Sequence, residues 1–223
     1  MQKTFNSAPT GTTVRREVVG EFLGTALMVG VGCGSVALGA SHGTVSITFG
    51  AVVTLAILLF GGMSGAHINP AVSVAFWRSG QLSSGLVGFY LLAQLLGGLV
   101  GAAVVGAAAP TTLAPSVNLL EGFVIEVAIT MVLMLSIFEA VHRNGPRWMV
   151  AIWVGATVAL LAFVAGELTG ASMNPARTFG PNFLNGWWYT LPFYFSSTAL
   201  GAWFAFDVHR WIRTVRDLSL IHI

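Results

Sequence analysis

The sequence feature that most constrains the fold is a nine-residue segment that occurs twice in apolar surroundings. The first copy is SGAHINPAV at 64–72 and the second is TGASMNPAR at 169–177, so their asparagines are 105 positions apart. Asn is a preferred helix N-cap, and Pro is favoured in the first turn because its missing N–H would have no helical partner there. The copies therefore predict two matched helix starts, comprising Asn69, Pro70, Ala71, Asn174, Pro175 and Ala176.

The composition indicates a membrane protein. Hydrophobic residues make up 55% of the chain and charged residues only 8%, whereas charge is about a quarter of an ordinary soluble domain. The net charge of +2 is small and its basic residues are scattered, which argues against nucleic acid as a partner. Cys33 is the single cysteine, so no intramolecular disulfide can form, and we expect it to pack inertly. No ligand pattern for a metal or other cofactor is present.

The apolar stretches predict an all-α membrane protein. Six of them are long enough to cross a bilayer at roughly 20 residues each, and they cover 18–38, 45–62, 86–108, 119–141, 148–168 and 188–208. Two shorter helices begin at the motifs and cover 69–77 and 174–184. The bilayer core is ~30 Å thick and a helix rises ~1.5 Å per residue, so these helices have about half the length that is needed to cross it. They can enter the membrane to its middle but cannot cross it, so they are predicted to be re-entrant half-helices.

The duplication extends beyond the paired motif. Glu21-x-x-x-Thr25 in the first span is matched at the same offset by Glu126-x-x-x-Thr130 in the fourth. Each repeat, about 16–108 and 119–212, holds three spans, and an odd number forces the second repeat to be inverted in the membrane. The sequence thus predicts one transmembrane channel domain over 1–223, in which Asn69 and Asn174 meet near the centre.

Charge predicts the orientation. Nine of the ten Lys and Arg residues lie in segments that the six-span topology puts on one side: Lys3, Arg15, Arg16, Arg78, Arg143, Arg147, Arg210, Arg213 and Arg216. By the positive-inside rule that side is the cytoplasm, and both termini lie there. Arg177, in the second half-helix, is the exception.

The paired helix starts predict exclusion of charge. A helix N-terminus carries unpaired N–H groups and about half a positive charge, so two facing ones repel cations. If Asn69 and Asn174 cap with their oxygens, their NH₂ groups stay free to orient a passing water and to break a proton wire. The non-helical backbone before each motif is expected to present carbonyls to a wet pore, at Gly65, Ala66, His67, Gly170 and Ser172. The simpler alternative is a pair of ordinary helix caps at kinks.

With these motifs the chain resembles the aquaporin and glycerol-facilitator (major intrinsic protein) family, over about residues 16 to 212. The resemblance implies an aquaporin-like bundle of six spans around one pore per subunit, a homotetramer in the membrane lipid, and water and small neutral solutes as cargo. It also implies that Glu21 and Glu126 brace the re-entrant loops by hydrogen bonding. A membrane carboxylate could otherwise carry protons, but the symmetric placement favours bracing.

The resemblance further implies a selectivity filter at Phe49, Ala162, Ala171 and Arg177. Water-selective members usually carry His where this chain has Ala162, and glycerol facilitators usually have a second aromatic residue and an Asp after the Arg. This chain has one aromatic residue and Thr178. We therefore expect a filter wider and less polar than the strict water type, without ranking glycerol, urea or metalloid hydroxides. For His67, a fixed pore-lining role and pH gating both stay open.

Three functional classes can be compared on the residues alone. A passive channel in the cell membrane fits the paired motif and needs no cofactor. An ion-coupled secondary transporter also uses inverted repeats and broken helices, but it needs a titratable or cation-binding group at its centre, where this chain has two amides. An enzyme needs a nucleophile and base or a metal site, and the sequence provides no such constellation.

Overall fold

The computed structural model describes residues 11–106 and 109–221, and these form eight α-helices and one short 3-10 helix at Trp188–Thr190. The α-helices are α1 (Gly11–Ala37), α2 (His42–Ser64), α3 (Pro70–Arg78), α4 (Ser84–Val104), α5 (Leu119–His142), α6 (Arg147–Thr169), α7 (Pro175–Leu184) and α8 (Leu191–Ile221). Six are long and two, α3 and α7, are short, so the predicted all-α fold with two half-helices is confirmed.

Five of the long helices, α1, α2, α4, α5 and α6, are long and apolar enough to cross a membrane. The sixth, α8, has 31 residues, but Asp207 and several hydroxyl side chains interrupt its apolar sequence. It takes the place of the sixth span through its packing, because it lies against α5 as α4 lies against α1.

Some helix ends differ from those predicted. The helix α1 begins at Gly11 rather than Val18, and α8 continues to Ile221 rather than ending at Val208. Both extensions hold arginines, which are good helix formers, so a helix can continue where the apolar pattern stops. The helix α4 ends at Val104, and the predicted end of the third span at 108 lies outside the described residues, as does Lys3.

The packing of the helices repeats itself in the two halves. In the first half α1 packs against α2 and α4, and in the second half α5 packs against α6 and α8. The halves join through α2 and α6, and each half-helix also packs on the last long helix of the other half, α3 on α8 and α7 on α4. The two half-helices are therefore held from both sides, and α3 and α7 contact each other.

Glycine allows the closest of these contacts. A Cβ on Gly180 of α7 would overlap the backbone carbonyl of Gly98 of α4, and a Cβ on Gly98 would overlap the carbonyl of Ala176. Any larger residue at either position would force the two helices apart. The start of α7 is thus fixed by direct backbone packing on α4.

Candidate functional site

The two half-helices begin in the same way. Asn69 Oδ1 accepts from the N–H of Ala71 at 2.9 Å, and Asn174 Oδ1 accepts from the N–H of Ala176 at 2.9 Å and of Arg177 at 3.3 Å. A proline follows each Asn in the first helical turn. Both asparagines therefore act as N-caps through their side-chain oxygens, and each residue is only 5% exposed.

The amide nitrogens of the two asparagines link the halves. Asn69 Nδ2 donates to the carbonyl of Met173 at 2.8 Å, and Asn174 Nδ2 donates to the carbonyl of Ile68 at 2.9 Å. The sequence analysis expected both NH₂ groups to stay free to orient a passing water, and this is wrong for one hydrogen of each group, which is given to the opposite loop. An amide NH₂ has two hydrogens. The second one on Asn69 remains available, whereas Asn174 Nδ2 also donates to Met28 Sδ, a weak acceptor, at 3.6 Å.

The segments before the asparagines have an unusual backbone. In each loop three residues have positive φ, with values between 42° and 91°, at Gly65, Ala66 and Ile68 and again at Gly170, Ala171 and Met173. For residues other than Gly this conformation costs roughly 1–2 kcal/mol each. Four of the six are not Gly, so contacts from elsewhere in the molecule must hold the loops in place.

Glu21 holds the first loop. Its carboxylate is fully buried and accepts four hydrogen bonds: from the Ser64 hydroxyl at 2.6 Å, the N–H of His67 at 2.9 Å, the N–H of Ile68 at 2.6 Å and the Gln94 amide at 2.7 Å. Four donors match the lone-pair sites of one carboxylate. The left-handed turn is therefore fixed by a hydrogen-bond acceptor on α1.

Glu126 holds the second loop by the same geometry. Its buried carboxylate accepts from the Thr169 hydroxyl at 2.7 Å and from the backbone N–H groups of Ser172 at 2.8 Å and Met173 at 3.0 Å. Both carboxylates thus have structural partners at loop residues that correspond to each other at the 105-residue offset. These are the contacts that bracing requires, and the bracing role of the two glutamates stays a prediction.

A cavity of about 560 Å³ runs past the two asparagines. All four predicted filter residues line it, and each is at most 8% exposed. The guanidinium carbon of Arg177 lies 5.1 Å from the centre of the Phe49 ring. The other two, Ala162 and Ala171, contribute only methyl groups, so at this level the wall combines one cation, one ring and two small apolar side chains.

The structure adds a contact that the sequence analysis missed. The Thr111 hydroxyl accepts from Nη1 of Arg177, and Thr111 is only 2% exposed. Asn182 of α7 holds the Thr111 backbone from both sides, accepting from its N–H at 2.7 Å and donating to its carbonyl at 2.9 Å. The sequence suggested only an uncharged loop at 110–116, and no charge, motif or spacing in it indicated that the chain folds back onto the arginine.

The predicted carbonyl residues divide into two groups. His67, Gly170 and Ser172 line the cavity, whereas Gly65 and Ala66 are not among its lining residues within the part of the chain that is described. The carbonyls that accept from the asparagines are those of Ile68 and Met173, which the sequence analysis did not name.

Two further expectations concern cysteine and metal. Cys33 is buried, with its sulfur 3.9 Å from the Arg177 carbonyl, so it packs beside the second half-helix. No cluster of His, Cys, Asp or Glu within 11–106 and 109–221 could hold a metal ion.

Comparison with known sequences gives a consistent picture. A model of the family described as "Major intrinsic protein" matches residues 9–209. The chain is 36% identical over 210 residues to the glycerol uptake facilitator protein of Pseudomonas aeruginosa, covering 77% of this chain and 75% of that one. It is 31% identical over 232 residues to aquaporin AqpM of Methanothermobacter marburgensis, covering 85% and 94%.

A solved structure resembles the whole bundle. The X-ray structure of the aquaglyceroporin from Plasmodium falciparum superimposes with a TM-score of 0.84 at 26% identity, covering 92% of this chain and 99% of that one. The match to the family extends over most of the chain and includes both half-helices. The chain therefore belongs to the major intrinsic protein family of membrane channels.

Proposed function

We propose that the protein is a passive transmembrane channel for water and small uncharged solutes. The observation that carries this proposal is the pair of half-helix N-termini that meet at a lined cavity, with Asn69 and Asn174 capping both. Two such ends bring about half a positive charge each to the same place. A neutral solute can accept hydrogen bonds there, whereas a cation is repelled.

Protons are excluded by the same centre. Each asparagine gives one amide hydrogen to the opposite loop. The second hydrogen of Asn69 can be donated to a water, and that of Asn174 can be donated to a water in place of its weak acceptor, the sulfur of Met28. A water molecule between them accepts from these donors and turns its own hydrogens away from the centre. A water molecule held in this way cannot accept a proton from one neighbouring water and pass it to the next, so the proton wire is broken.

We assign solute selection to Phe49, Ala162, Ala171 and Arg177. Two methyl groups leave a wider and less polar opening than a histidine would, and the guanidinium still donates hydrogen bonds to a passing oxygen. Two relatives are named for glycerol, the glycerol uptake facilitator of P. aeruginosa and the aquaglyceroporin of P. falciparum. We therefore expect solutes of glycerol size to pass along with water.

An ion-coupled mechanism has no support at this site. The buried carboxylates nearest the re-entrant loops, Glu21 and Glu126, are occupied by hydroxyl, backbone and amide donors from the protein. A coupling ion would have to displace these donors and would release the loops that they hold. Passive passage requires no such exchange.

The chain is a multi-pass membrane protein, and we propose that both termini face the cytoplasm. Basic residues gather at one end of the bundle: Arg78 pairs with Asp207 at 2.8 Å, and Arg143 and Arg216 approach Glu139 at 2.8 Å and 3.7 Å. The positive-inside rule puts this end in the cytoplasm.

We further propose a single channel domain over 1–223 with repeats at about 16–108 and 119–212, assembled in lipid as a homotetramer.

Stopped-flow light scattering on proteoliposomes tests the channel directly. Purified protein should accelerate osmotic shrinkage in an impermeant osmolyte, and it should accelerate the re-swelling that follows glycerol entry. A proton or sodium gradient should leave both rates unchanged. If the protein leaves the water and glycerol rates at those of empty vesicles, the proposal is wrong, and gradient-driven uptake would favour the transporter.

Ala162→His should reduce glycerol flux more than water flux. The imidazole narrows the opening and adds a donor, which obstructs a three-carbon solute more than a single water molecule. The two rates can be compared in the same proteoliposomes. Ala162→Leu adds similar bulk without a donor and should lower both rates. Equal losses in Ala162→His, or no change, would show that Ala162 does not line the filter.

Thr111→Val should lower the flux of both water and glycerol several-fold. The substitution keeps the volume of the side chain but removes the oxygen that holds Arg177, and a hydrogen bond to a charged group contributes about 1.5–3 kcal/mol. Without this bond the population of the fixed guanidinium position falls by roughly a factor of ten or more, and the displaced side chain stays in the opening and obstructs it. Thr112→Val is the matched control, because the guanidinium bonds to the hydroxyl of Thr111 and not to that of its neighbour. Unchanged flux in Thr111→Val would contradict this role.

A further inference from the structure

A chain of buried polar groups connects Glu21 to the cavity. Gln94 Nε2 lies 2.7 Å from Glu21 Oε2 and 2.8 Å from Ser73 Oγ. Ser73 Oγ in turn lies 3.1 Å from Nδ1 of His67, and His67 lines the cavity. Gln94 and Ser73 are both fully buried, so no bulk water competes for their hydrogens.

The direction of the hydrogen bonds follows from the carboxylate. The backbone N–H groups that bind Glu21 can only donate, so the carboxylate is the acceptor of this cluster. The Gln94 amide must therefore present its NH₂ rather than its oxygen to Glu21. Its two hydrogens then go to Glu21 and to Ser73, and its own carbonyl oxygen has no hydrogen-bond partner among the described residues.

The Ser73 hydroxyl links Gln94 to His67 and determines which atom of the imidazole accepts a hydrogen bond. Its oxygen receives a hydrogen from Gln94, and Nδ1 of His67 is the other group within hydrogen-bond distance of that oxygen. A buried hydroxyl is expected to use its own hydrogen, so Ser73 donates and Nδ1 accepts. In a neutral imidazole with Nδ1 as acceptor, the hydrogen is on Nε2.

Packing fixes where that hydrogen points. The His67 ring stacks on Phe76, with centres 4.6 Å apart and an angle of 16° between the planes, and it meets the edge of Tyr90 at 5.3 Å. Nδ1 is occupied by buried Ser73, and Nε2 has no hydrogen-bond partner among the side chains and backbone that are described. Nε2 is therefore the ring nitrogen that remains available to the lumen.

We propose that Gln94 and Ser73 are positioning residues that hold His67 as the Nε2–H tautomer, so that it presents a fixed hydrogen-bond donor to the channel. This inference rests on the proposed function and deepens its account of proton exclusion. With Nε2 already protonated, the ring cannot accept a proton from a water in the lumen at that nitrogen. Its other nitrogen is closed off by the Ser73 hydroxyl.

The second half of the molecule lacks this series of hydrogen bonds. There Ser172 and Thr178 take the places of His67 and Ser73, and their hydroxyl oxygens are 2.5 Å apart. Tyr90 and Tyr194 both donate to the start of a loop, at the carbonyls of Ser64 and Thr169. Gln94 lies four residues after Tyr90, and the residue four positions after Tyr194 is Thr198. The Thr198 hydroxyl donates to the Tyr194 carbonyl at 2.6 Å. Glutamate bracing is therefore achieved without a glutamine, and Gln94 is present only where a histidine must be oriented.

The test is solid-state ¹⁵N NMR of the full chain, labelled at histidine and reconstituted in lipid. Five histidines contribute, so His67 is identified by its loss in His67→Ser, which copies the residue of the second half. We expect a pyridine-type Nδ1 and a pyrrole-type Nε2 for His67. A pyrrole-type Nδ1 in the unaltered protein would overturn the proposal.

Three variants separate positioning from folding. In Gln94→Met and in Ser73→Ala the single set of His67 signals should be lost, with part of the population moving to the Nδ1–H form. Ser73→Thr, which keeps the hydroxyl as Thr178 does, should keep the original spectrum. If Ser73→Ala keeps a pure Nε2–H spectrum, Ser73 does not orient the ring and the inference is wrong. Failure of the channel function itself would appear separately, as absent water flux in the unaltered protein whatever its spectrum.

Discussion

Glu126→Leu should abolish water flux and sharply reduce the yield of folded protein. The substitution puts an apolar side chain of similar size in place of the carboxylate and leaves the N–H groups of Ser172 and Met173, and the Thr169 hydroxyl, without their acceptor. Each buried group that loses its partner costs about 1–3 kcal/mol, so the two N–H groups alone cost roughly 2–6 kcal/mol. The loop that they hold contains Ala171 and Met173 at positive φ and would relax toward ordinary backbone geometry.

Thermal unfolding in detergent and stopped-flow shrinkage measure this prediction together. Glu121→Gln is the matched control, because Glu121 is an exposed capping residue of α5 that contacts Asn118 and lies outside the cavity lining. Glu126→Gln should fall between the two, since one oxygen remains to accept. If Glu126→Leu unfolds at the temperature of the unaltered protein and still conducts water, the carboxylate does not hold the loop.

Much of the fold was predictable because the membrane imposes lengths on apolar stretches. The half-helices could be recognised from Asn69 and Asn174, since the sequence there combines a cap, a proline and too short an apolar run. The ends of α1 and α8 were predicted less well, because a helix that continues through arginines has no apolar boundary to read. The pattern of apolar residues thus predicts which helices form, whereas the ends of those helices depend on the helix propensity of residues outside the bilayer.

The site was predictable where it repeats and obscure where it does not. Glu21 and Glu126 stood out through their shared spacing, and the structure gives both the same loop contacts. Thr111 and Asn182 have no counterpart motif, and their contact joins residues 71 positions apart. The crossing of the asparagine amides onto the opposite loops also needs three-dimensional closure of the two halves, which no single segment encodes.

Arg177→Met should convert the channel into one that leaks cations. Methionine has a similar length but no charge, so the guanidinium beside Phe49 is removed with little change in bulk. A unit charge about 5 Å from a permeating cation contributes roughly 3 kcal/mol at an effective dielectric constant of about 20. Removing this barrier should raise cation permeability on the order of a hundredfold, while water flux persists because the capped centre at Asn69 and Asn174 is untouched.

Potassium current across planar bilayers would measure the leak. Proton entry into vesicles that contain a pH-sensitive dye should stay at the level of the unaltered protein, because the asparagine centre still breaks the proton wire. Arg143→Met is the matched control, because the Arg143 side chain is 58% exposed, pairs with Glu139 and lies outside the lining of the cavity. It should leave both readings at the level of the unaltered protein. Thr111→Val adds a second comparison, since it displaces the guanidinium without removing its charge and should leak less than Arg177→Met. An Arg177→Met channel that conducts water and stays tight to cations would assign charge exclusion to the half-helix ends alone.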